Sequence, residues 1–449
     1  MTNQFPKLTQ NRVKPRGGKI GPILVMVYVW EVLLGKSQLA WFPYAWVIHM
    51  VLSALLSGMI IVASRFYPPL QPSPKAYRMR KPVIFIYFLI TSWGVISAIA
   101  REKGSPIFDE IAFSATWLFM AIACWQSAPR LVSEIPTQNL IRQLSLPLKL
   151  GILASYIMLL TGEQYDPFTE HFRGAFYTSP TMGEVAMLCC ILPFAQIVSK
   201  SSKSRIRDSV FIALSLGCLF LARSRGAIIV TLTAMAMIWL LRPRPGVRLP
   251  IARFYAVGLF LLIICFVFTG LEPETREKTA TFLRVEGGIE HLADTRWGRW
   301  EEGYRSMLQH PLFGLGLNSR YSGGGIEFEG RAKAELVYTF TDDPHSMPLT
   351  LGKSIGIPGF ILAVALLLSF AGIVWKVTSY PFAQESIVTT VTIGLIIRVI
   401  LTSFIGNSLL SFGAIGDRYT WVGIGILSAR MLNSVHRSPS ILRMKKNNQ

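Results

Sequence analysis

The sequence predicts an all-α polytopic membrane protein with about twelve transmembrane helices and one large loop on the extracytoplasmic side. Hydrophobic residues make up 51% of the 449 residues and charged residues only 16%, which is too apolar for a soluble chain of this length. Apolar runs of roughly 20 residues, the length that crosses the hydrocarbon core, recur from end to end. The basic residues gather in alternate loops, which indicates how the chain is oriented in the membrane.

The apolar runs give the order of the helices and divide the chain into three regions. Residues 1–271 hold nine helices, residues 272–345 form the large extracytoplasmic loop, and residues 346–449 hold three helices and a basic cytoplasmic tail. A loop that long in a compact membrane protein is typical of a functional segment or a small domain. The predicted helices are residues 20–34, 41–63, 83–100, 111–128, 147–161, 183–198, 209–222, 226–241, 254–271, 346–375, 387–405 and 415–433.

The net charge of +20 arises from 45 Lys and Arg residues against 25 Asp and Glu residues. Taken alone, such an excess would indicate a nucleic-acid partner. Most of the basic residues, however, fall in loops on one side of the predicted helices, and most of the acids fall in loops on the other side. Because the positive-inside rule explains most of this excess, we expect both termini in the cytoplasm, a membrane as the partner, and no nucleic acid.

The sequence shows no pattern of a metal or nucleotide site. All five cysteines lie in apolar runs without a CxxC pair, and the HExxH, Walker A and GxGxxG motifs are absent from the sequence. We therefore expect no metal and no cofactor, so that the energy for any reaction comes from an activated substrate.

The segment Asp342–Asp343–Pro344–His345 has the pattern of a helix start, with acceptors that cap the helix and a proline suited to its first turn. The positive end of the helix dipole keeps a histidine there neutral, while free backbone N–H groups attract anions. His345 is therefore a candidate base beside a phosphate, with Asp342 and Asp343 as candidate substrate contacts. A capping or solvated loop histidine is the alternative.

Arg223 and Arg225 flank Ser224 in a very short turn between two apolar helices, on the side where the orientation rule disfavours basic residues. A phosphate is a natural partner, because the guanidinium fork binds two phosphate oxygens at once. The alternative is that these arginines extend to lipid head groups or pair with a carboxylate of the loop. Arg398, inside an apolar run, is a further candidate whose partner the sequence does not identify.

A predicted helix in the large loop, residues 294–309, carries Arg296, Arg299 and Trp300. Arg296 and Trp300 are one turn apart and share a face that suits a glycan phosphate, since aromatic rings suit sugars and arginines suit phosphates. A solvated arginine paired with a nearby acid is the alternative. Glu184, at the outer start of the sixth helix, is a candidate acid or base, with a purely structural helix-start carboxylate as the alternative.

Four stretches together resemble the O-antigen ligase and Wzy-type polymerase superfamily, which includes the ExoQ-like exopolysaccharide proteins. They are Leu221–Ala227 (LARSRGA), Arg296 with Trp300, His310–Gly316 (HPLFGLG), and His345 followed by Gly356–Gly359 (GIPG). The resemblance covers mainly residues 172–360. HPLFGLG joined to the downstream histidine and GIPG is a fairly specific combination, whereas LARSRGA alone is weak.

This resemblance implies a GT-C-like membrane glycosyltransferase in the bacterial plasma membrane that uses neither metal nor nucleotide sugar. It implies transfer of a glycan from an undecaprenyl-pyrophosphate carrier to a hydroxyl of a lipid or glycan acceptor, on the outer face. By position, Arg225 and Arg296 are similar to the family's pyrophosphate-binding arginines, and His345 is similar to its loop histidine near the acceptor. The chain departs from the family at Ser346 and Thr181, where the family often has asparagine.

Two other classes of function remain open at this point. A transporter or flippase of lipid-linked sugars would need several ionisable residues well inside the helices and pseudo-symmetric halves. In the sequence, Arg398 is the clearest such residue, Lys353 lies nearer a helix end, and no internal repeat is visible. A non-catalytic membrane scaffold would tolerate alanine at His345 and at the candidate arginines.

Overall fold

The computed structural model describes twelve stretches of the chain, and these are almost entirely helical. They are residues 20–37, 45–67, 74–100, 107–162, 171–176, 178–199, 201–202, 204–241, 300–317, 346–379, 386–405 and 415–434. Within these stretches the chain forms no β-strand, and Ser37 and Phe176 make an isolated antiparallel bridge. The predicted fold class is confirmed: the chain is an all-α polytopic membrane protein.

The described helices follow the predicted apolar runs. Every predicted span except residues 254–271, which lie outside the described residues, coincides with a helix. The helices are α1 (Ile20–Gly35), α2 (Ala45–Ser64), α3 (Pro74–Ala100), α4 (Ile107–Ile122), the short α5 (Ala128–Leu131), α6 (Thr137–Leu159), α7 (Ser179–Val198), α8 (Arg205–Leu221), α9 (Arg225–Leu241), α10 (300–309), α11 (Met347–Ser379), α12 (Ser386–Ile405) and α13 (Ile415–Ser434).

Five of the described segments have the length and hydropathy of a membrane span, and shorter apolar helices accompany them. The helices differ from the predicted spans mainly at their polar ends. For example, α6 begins at Thr137, well before the predicted residue 147, and continues through Pro147. The prediction followed only the apolar run, whereas the helix also includes the more polar residues that precede it.

Helix α11 is kinked at the GIPG motif. Ile355 (φ −134°, ψ 23°) and Gly356 (φ 76°, ψ −170°) leave the helical conformation, and Pro358 follows two residues later. Proline has no N–H to donate, and a positive φ is open to glycine at little steric cost. The kink therefore separates a first segment, residues 347–354, from the long apolar remainder of α11.

The two ends of the bundle can be defined on α8. At 1.5 Å per residue its 17 residues separate the two ends by roughly 25 Å. The turn at residues 222–224 follows the C-terminal end of α8, and we call this side of the bundle the turn end. The starts of α7 and α13 and the C-terminal end of α1 lie at the turn end, as the contacts below establish.

Candidate functional site

The turn between α8 and α9 is as tight as the sequence predicts. Arg223 has a left-handed backbone (φ 50°), and its side chain is exposed. The N–H of Arg223 donates to the Phe220 carbonyl (3.0 Å), and the Ser224 carbonyl accepts from the N–H of Ile228 (3.0 Å). A left-handed non-glycine residue costs about 1–2 kcal/mol, so this reversal of the chain is maintained at the expense of stability.

The turn packs on the start of α7. A methyl group added at Gly183 would lie 2.8 Å from the Ser224 hydroxyl oxygen and 3.5 Å from the Ala227 Cβ. Arg225 is the first residue of α9, where the unpaired N–H groups of a helix start favour anions. Its backbone is described, but its side chain is not, so its predicted contact with phosphate stays a prediction.

A second arginine, Arg173, lies in a segment that runs beside the turn. The N–H of Phe172 donates to the Leu221 carbonyl (3.4 Å), and the N–H of Ala175 donates to the Ser155 hydroxyl (3.0 Å). The Arg173 Nε is buried and has no hydrogen-bond partner in the described part of the chain. Arg173 was not among the residues predicted from the sequence, although the orientation rule that marked Arg223 applies to it as well.

Glu184 connects α7 to the start of α13. Its Oε2 accepts a hydrogen bond from the N–H of Gly416 (2.8 Å). The start of α7 is capped by Thr178, whose hydroxyl accepts from the N–H of Thr181 (3.4 Å). Thr181, one of the two departures from the family pattern, therefore lies in the first helical turn of α7, three residues before Glu184.

Arg398 now has identified partners. The side chain is 1% exposed, and its Nη1 donates to the Gly416 carbonyl (2.9 Å) and to the Thr420 hydroxyl (2.6 Å). A methyl group added at Gly416 would collide with the Arg398 Nη2 and lie 3.1 Å from the Glu184 Cδ. The guanidinium and the carboxylate therefore face each other across the space that a Gly416 side chain would fill.

A buried charge cluster, formed by Glu31, His49, Ser53 and Arg418, ties α1, α2 and α13 together. Glu31 pairs with His49 through Oε1 and with Arg418 through Oε2, and Oε2 also accepts from the Ser53 hydroxyl (2.9 Å). Arg418 is fully buried. The His49 Nε2 is buried without a hydrogen-bond partner among the described residues. Sequence reasoning missed Glu31 and Arg418, although a charged residue inside an apolar run was the available signal.

Lys36, which follows the end of α1, lies within electrostatic range of both groups of charges. Burial lowers the pKa of Lys36, and the negative charges of Glu184 and Glu31 act in the opposite direction. The charged groups that lie close together at the turn end are therefore Glu31, Lys36, Glu184, Arg398 and Arg418.

The HPLFGLG and GIPG motifs bind each other directly. The N–H of Ile357 donates to the Pro311 carbonyl (2.7 Å), and the N–H groups of Leu315 and Gly316 donate to the carbonyls of Lys353 (2.9 Å) and Ser354 (2.6 Å). These bonds satisfy backbone groups that the kink in α11 leaves without helical partners. The motif loop therefore completes the kinked helix.

Glycine is required where the two motifs meet. Gly314 (φ 58°) and Gly356 (φ 76°) both have a left-handed backbone. A methyl group at Gly356 would overlap the Pro311 carbonyl oxygen, and one at Gly314 would overlap the backbone of Ser354. Trp93 on α3 covers the junction, since its Nε1 donates to the carbonyls of Leu312 and Ile355 (both 3.1 Å).

Helix α10 packs along the first segment of α11. A methyl group added at Gly352 would lie 2.6 Å from the Met307 sulfur. Four residues after Met307 and five residues after Gly352, the two segments meet again where the N–H of Ile357 binds the Pro311 carbonyl. The two helices therefore run in the same general direction. Trp300, the first described residue of α10, is partly buried, and its buried Nε1 has no partner within the described residues.

The start of α11 packs against α12. The Ser403 hydroxyl contacts the Met347 sulfur at 3.9 Å, and Ser346 is buried. On α12, Ser403 lies a little more than one turn beyond Arg398. The structure thus brings the start of α11 to the same end of α12 as Arg398, Glu184 and the turn.

The other predicted site residues lie outside the described residues. They are Arg296, Arg299, Asp342, Asp343 and His345. Of the predicted set, the structure therefore describes Arg223, Glu184 and Trp300, together with the backbone of Arg225.

Comparison with known proteins shows that part of the chain is similar to one family. Residues 210–364 match the family model described as O-antigen ligase, and this span includes the turn and both glycine motifs. The resemblance predicted from the sequence is thereby confirmed for these residues. No curated protein sequence matches the chain. A solved chain from a peptidoglycan synthase complex is similar at 14% identity and a TM-score of 0.40, with 80% of this chain and 98% of that chain covered.

Proposed function

We propose, from the match of residues 210–364 to the O-antigen ligase family, that this membrane protein is a glycosyltransferase of surface polysaccharide assembly. It moves a glycan from an undecaprenyl-pyrophosphate carrier to a hydroxyl of a lipid or glycan acceptor. The chain sits in the bacterial plasma membrane with cytoplasmic termini, and the turn end faces outward. Residues 272–345 form the extracytoplasmic loop between the two sets of helices.

The observation that carries this proposal is the convergence of separate segments at the turn end. Arg173 and the left-handed Arg223 lie beside the start of α9, and the turn packs on the residue that precedes Glu184. Cationic side chains and a helix start with free N–H groups suit a diphosphate. Hydroxyls and a carboxylate at the same end suit the sugar that the diphosphate carries.

The course of α10 and α11 supports the placement of the other candidates. The two helices run in the same direction from the contact between Met307 and Gly352, so the chain enters both of them at the same end. Arg296 precedes Trp300 by four residues in the sequence, and His345 immediately precedes Ser346. We infer that Arg296, Arg299 and Trp300 face the same substrate as His345.

The reaction is a substitution at the anomeric carbon of the donor glycan. The acceptor hydroxyl oxygen forms a bond to that carbon, the bond from the carbon to the pyrophosphate oxygen breaks, and the hydroxyl proton passes to a base. His345 takes the proton, or Asp342 or Asp343 does so. Arg225 and Arg296 neutralise the diphosphate as it leaves, so the protein chiefly has to position the acceptor.

The fate of the substrate tests the proposal. Purified protein in nanodiscs is incubated with an undecaprenyl-pyrophosphate oligosaccharide, with and without an added hydroxyl acceptor, and the products are separated on a gel. A ladder of lengthening products identifies a polymerase, and one discrete product that depends on the acceptor identifies a ligase. An unchanged donor would contradict both forms of the proposal.

A transporter of lipid-linked sugars is the second candidate, because the described helices hold buried ionisable residues besides Arg398, which was the clearest one in the sequence. Glu31, His49 and Arg418 join Arg398 within the described helices. Reconstituted proteoliposomes separate the two functions. A transporter moves the labelled lipid between leaflets with its covalent structure intact, whereas a transferase changes the glycan. A scaffold does neither and tolerates alanine at His345, Arg225 and Arg296.

A further inference from the structure

We propose that Arg398 is a positioning residue for Glu184, and that Gly416 is the glycine on which this arrangement depends. The inference rests on the proposed glycan transfer and places Glu184 beside the diphosphate site of that reaction. In this arrangement Arg398 does not touch the substrate. Arg398 fixes the start of α13. The start of α13 then fixes the Glu184 carboxylate beside Arg223, which lies in the turn, and Arg225, which begins α9.

Gly416 lies between the two charged side chains and binds both of them. Its N–H donates to Glu184 (2.8 Å) and its carbonyl accepts from Arg398 (2.9 Å), so one residue of α13 holds both charged side chains. A second bond from Arg398 to Thr420 (2.6 Å) lies one turn further along the same helix. Arg398 therefore binds the first turn of α13 at two points.

Arg398 carries its charge inside the helix bundle. A guanidinium inside a membrane helix is costly unless an opposite charge or good acceptors compensate it. The described acceptors of Arg398 are a neutral carbonyl and a neutral hydroxyl, while the Glu184 carboxylate faces it across Gly416. The Nε of Arg398 is buried without a hydrogen-bond partner in the described stretches. Glu184 is thus the counter-charge that this arrangement supplies.

Glu184 is next in sequence to Gly183, which packs on the turn. Gly183 contacts Ser224, and Ser224 immediately precedes the first residue of α9. A shift of the Glu184 carboxylate therefore displaces a negative charge that lies beside the proposed diphosphate site. Because a misplacement of about 1 Å can cost about 100-fold in rate, we expect loss of Arg398 to lower transfer without removing any group that contacts substrate.

A double-mutant cycle in the transfer assay tests whether Arg398 acts through Glu184. Arg398→Gln and Glu184→Gln are each expected to lower kcat/KM about 100-fold, and the double variant is expected to be no worse than either single variant. Arg398→Lys is expected to restore part of the activity. If the two losses instead multiply in the double variant, Arg398 acts independently of Glu184 and the inference is overturned.

Two controls separate positioning from general destabilisation. Arg430 lies on α13 as well and donates to the Thr137 hydroxyl (3.0 Å) and to the Val132 carbonyl, far from the turn end. Arg430→Gln should lower the melting temperature but leave the kcat/KM of the folded protein unchanged. Gly416→Ala should lower transfer, because the methyl group displaces both charges, whereas Gly58→Ala meets no atom within 4 Å and should be silent.

The outcomes distinguish this inference from the proposed function. An active wild-type protein with an equally active Glu184→Gln variant would overturn the inference while the transferase function stands. Loss of activity in Arg430→Gln equal to that in Arg398→Gln, at equal melting temperature, would also overturn it. A wild-type protein that transfers no glycan overturns the proposed function and this inference together.

Discussion

The two ends of the helix bundle both contain buried charges, but they use them differently. At the end opposite the turn, Lys149 pairs with Asp208 (2.8 Å) and Ser202 donates to the other carboxylate oxygen (2.8 Å), so the acid is satisfied by its close neighbours. Arg430 likewise binds one carbonyl and one hydroxyl. These contacts join neighbouring segments at the end of the bundle that lies opposite the turn.

At the turn end, α1, α2, α7, α12 and α13 all contribute to a connected set of charges. The start of α13 alone binds Glu184 and Arg398 through Gly416, and Glu31 through Arg418. The difference indicates that the charges at the opposite end hold helices together. The charges at the turn end also set the position of groups near the LARSRGA motif.

The largest expected effect on stability comes from Arg418→Met. Removing one partner of a buried ion pair costs about 3–5 kcal/mol, because Glu31 then keeps a poorly compensated charge. Thermal unfolding in detergent measures the loss. Lys149→Met at the opposite end should cost a similar amount, yet only Arg418→Met should also lower transfer by the molecules that remain folded. Equal transfer by both variants would remove the distinction between the ends.

The next effect concerns the junction of the two glycine motifs. Gly356→Ala forces a side chain into a left-handed backbone and against the Pro311 carbonyl, which we expect to cost about 1–3 kcal/mol. Gly372→Ala on the same helix meets no atom within 4 Å and should not destabilise the protein. Melting temperatures compare the two. Equal melting temperatures would mean that the docking of the motif loop does not depend on Gly356.

Arg223 separates charge from backbone strain. Arg223→Gly and Arg223→Ala both remove the guanidinium, but only glycine relieves the left-handed conformation (φ 50°), by about 1 kcal/mol. We therefore expect equal losses of transfer and a higher melting temperature for the glycine variant. Unchanged transfer in both variants would show that Arg223 does not bind the substrate.

The smallest expected effect compares two helix caps. The Thr178 hydroxyl caps α7 next to Glu184, and the Ser204 hydroxyl caps α8 at the opposite end by accepting from the N–H of Arg207 (3.3 Å). Alanine at either position should cost about 1 kcal/mol. Only Thr178→Ala should also alter transfer, and an equal change in Ser204→Ala would contradict the comparison.

The sequence predicted the helices well because hydropathy over roughly 20 residues decides what crosses a bilayer. The tight turn at residues 222–224 was also predictable, since two apolar runs leave no room for a longer connection. The motifs HPLFGLG and GIPG were recognised through the resemblance. That they bind each other was not foreseen, because backbone hydrogen bonds between distant residues leave no mark of their own in a sequence.

The charged part of the site was only partly predictable for a related reason. Arg398 was marked by its charge in an apolar run, but its partners include the backbone of Gly416, which no residue type reveals. Glu31 and Arg418 carried the same signal and were absorbed into the predicted spans 20–34 and 415–433. Their pairing became evident only when α1 and α13 were placed side by side.

The most direct test of the account compares two arginines at the opposite ends of the α8–α9 pair. Arg225 begins α9 at the turn, and Arg205 begins α8 at the opposite end, where its side chain is exposed. Transfer from an undecaprenyl-pyrophosphate oligosaccharide is measured for Arg225→Ala and Arg205→Ala in nanodiscs at matched folded concentrations. We expect Arg225→Ala to lower kcat/KM by about 100-fold or more, as His345→Ala and Arg296→Ala should, and Arg205→Ala to match the wild type. Wild-type transfer by Arg225→Ala would contradict the assignment of the active site to the turn end.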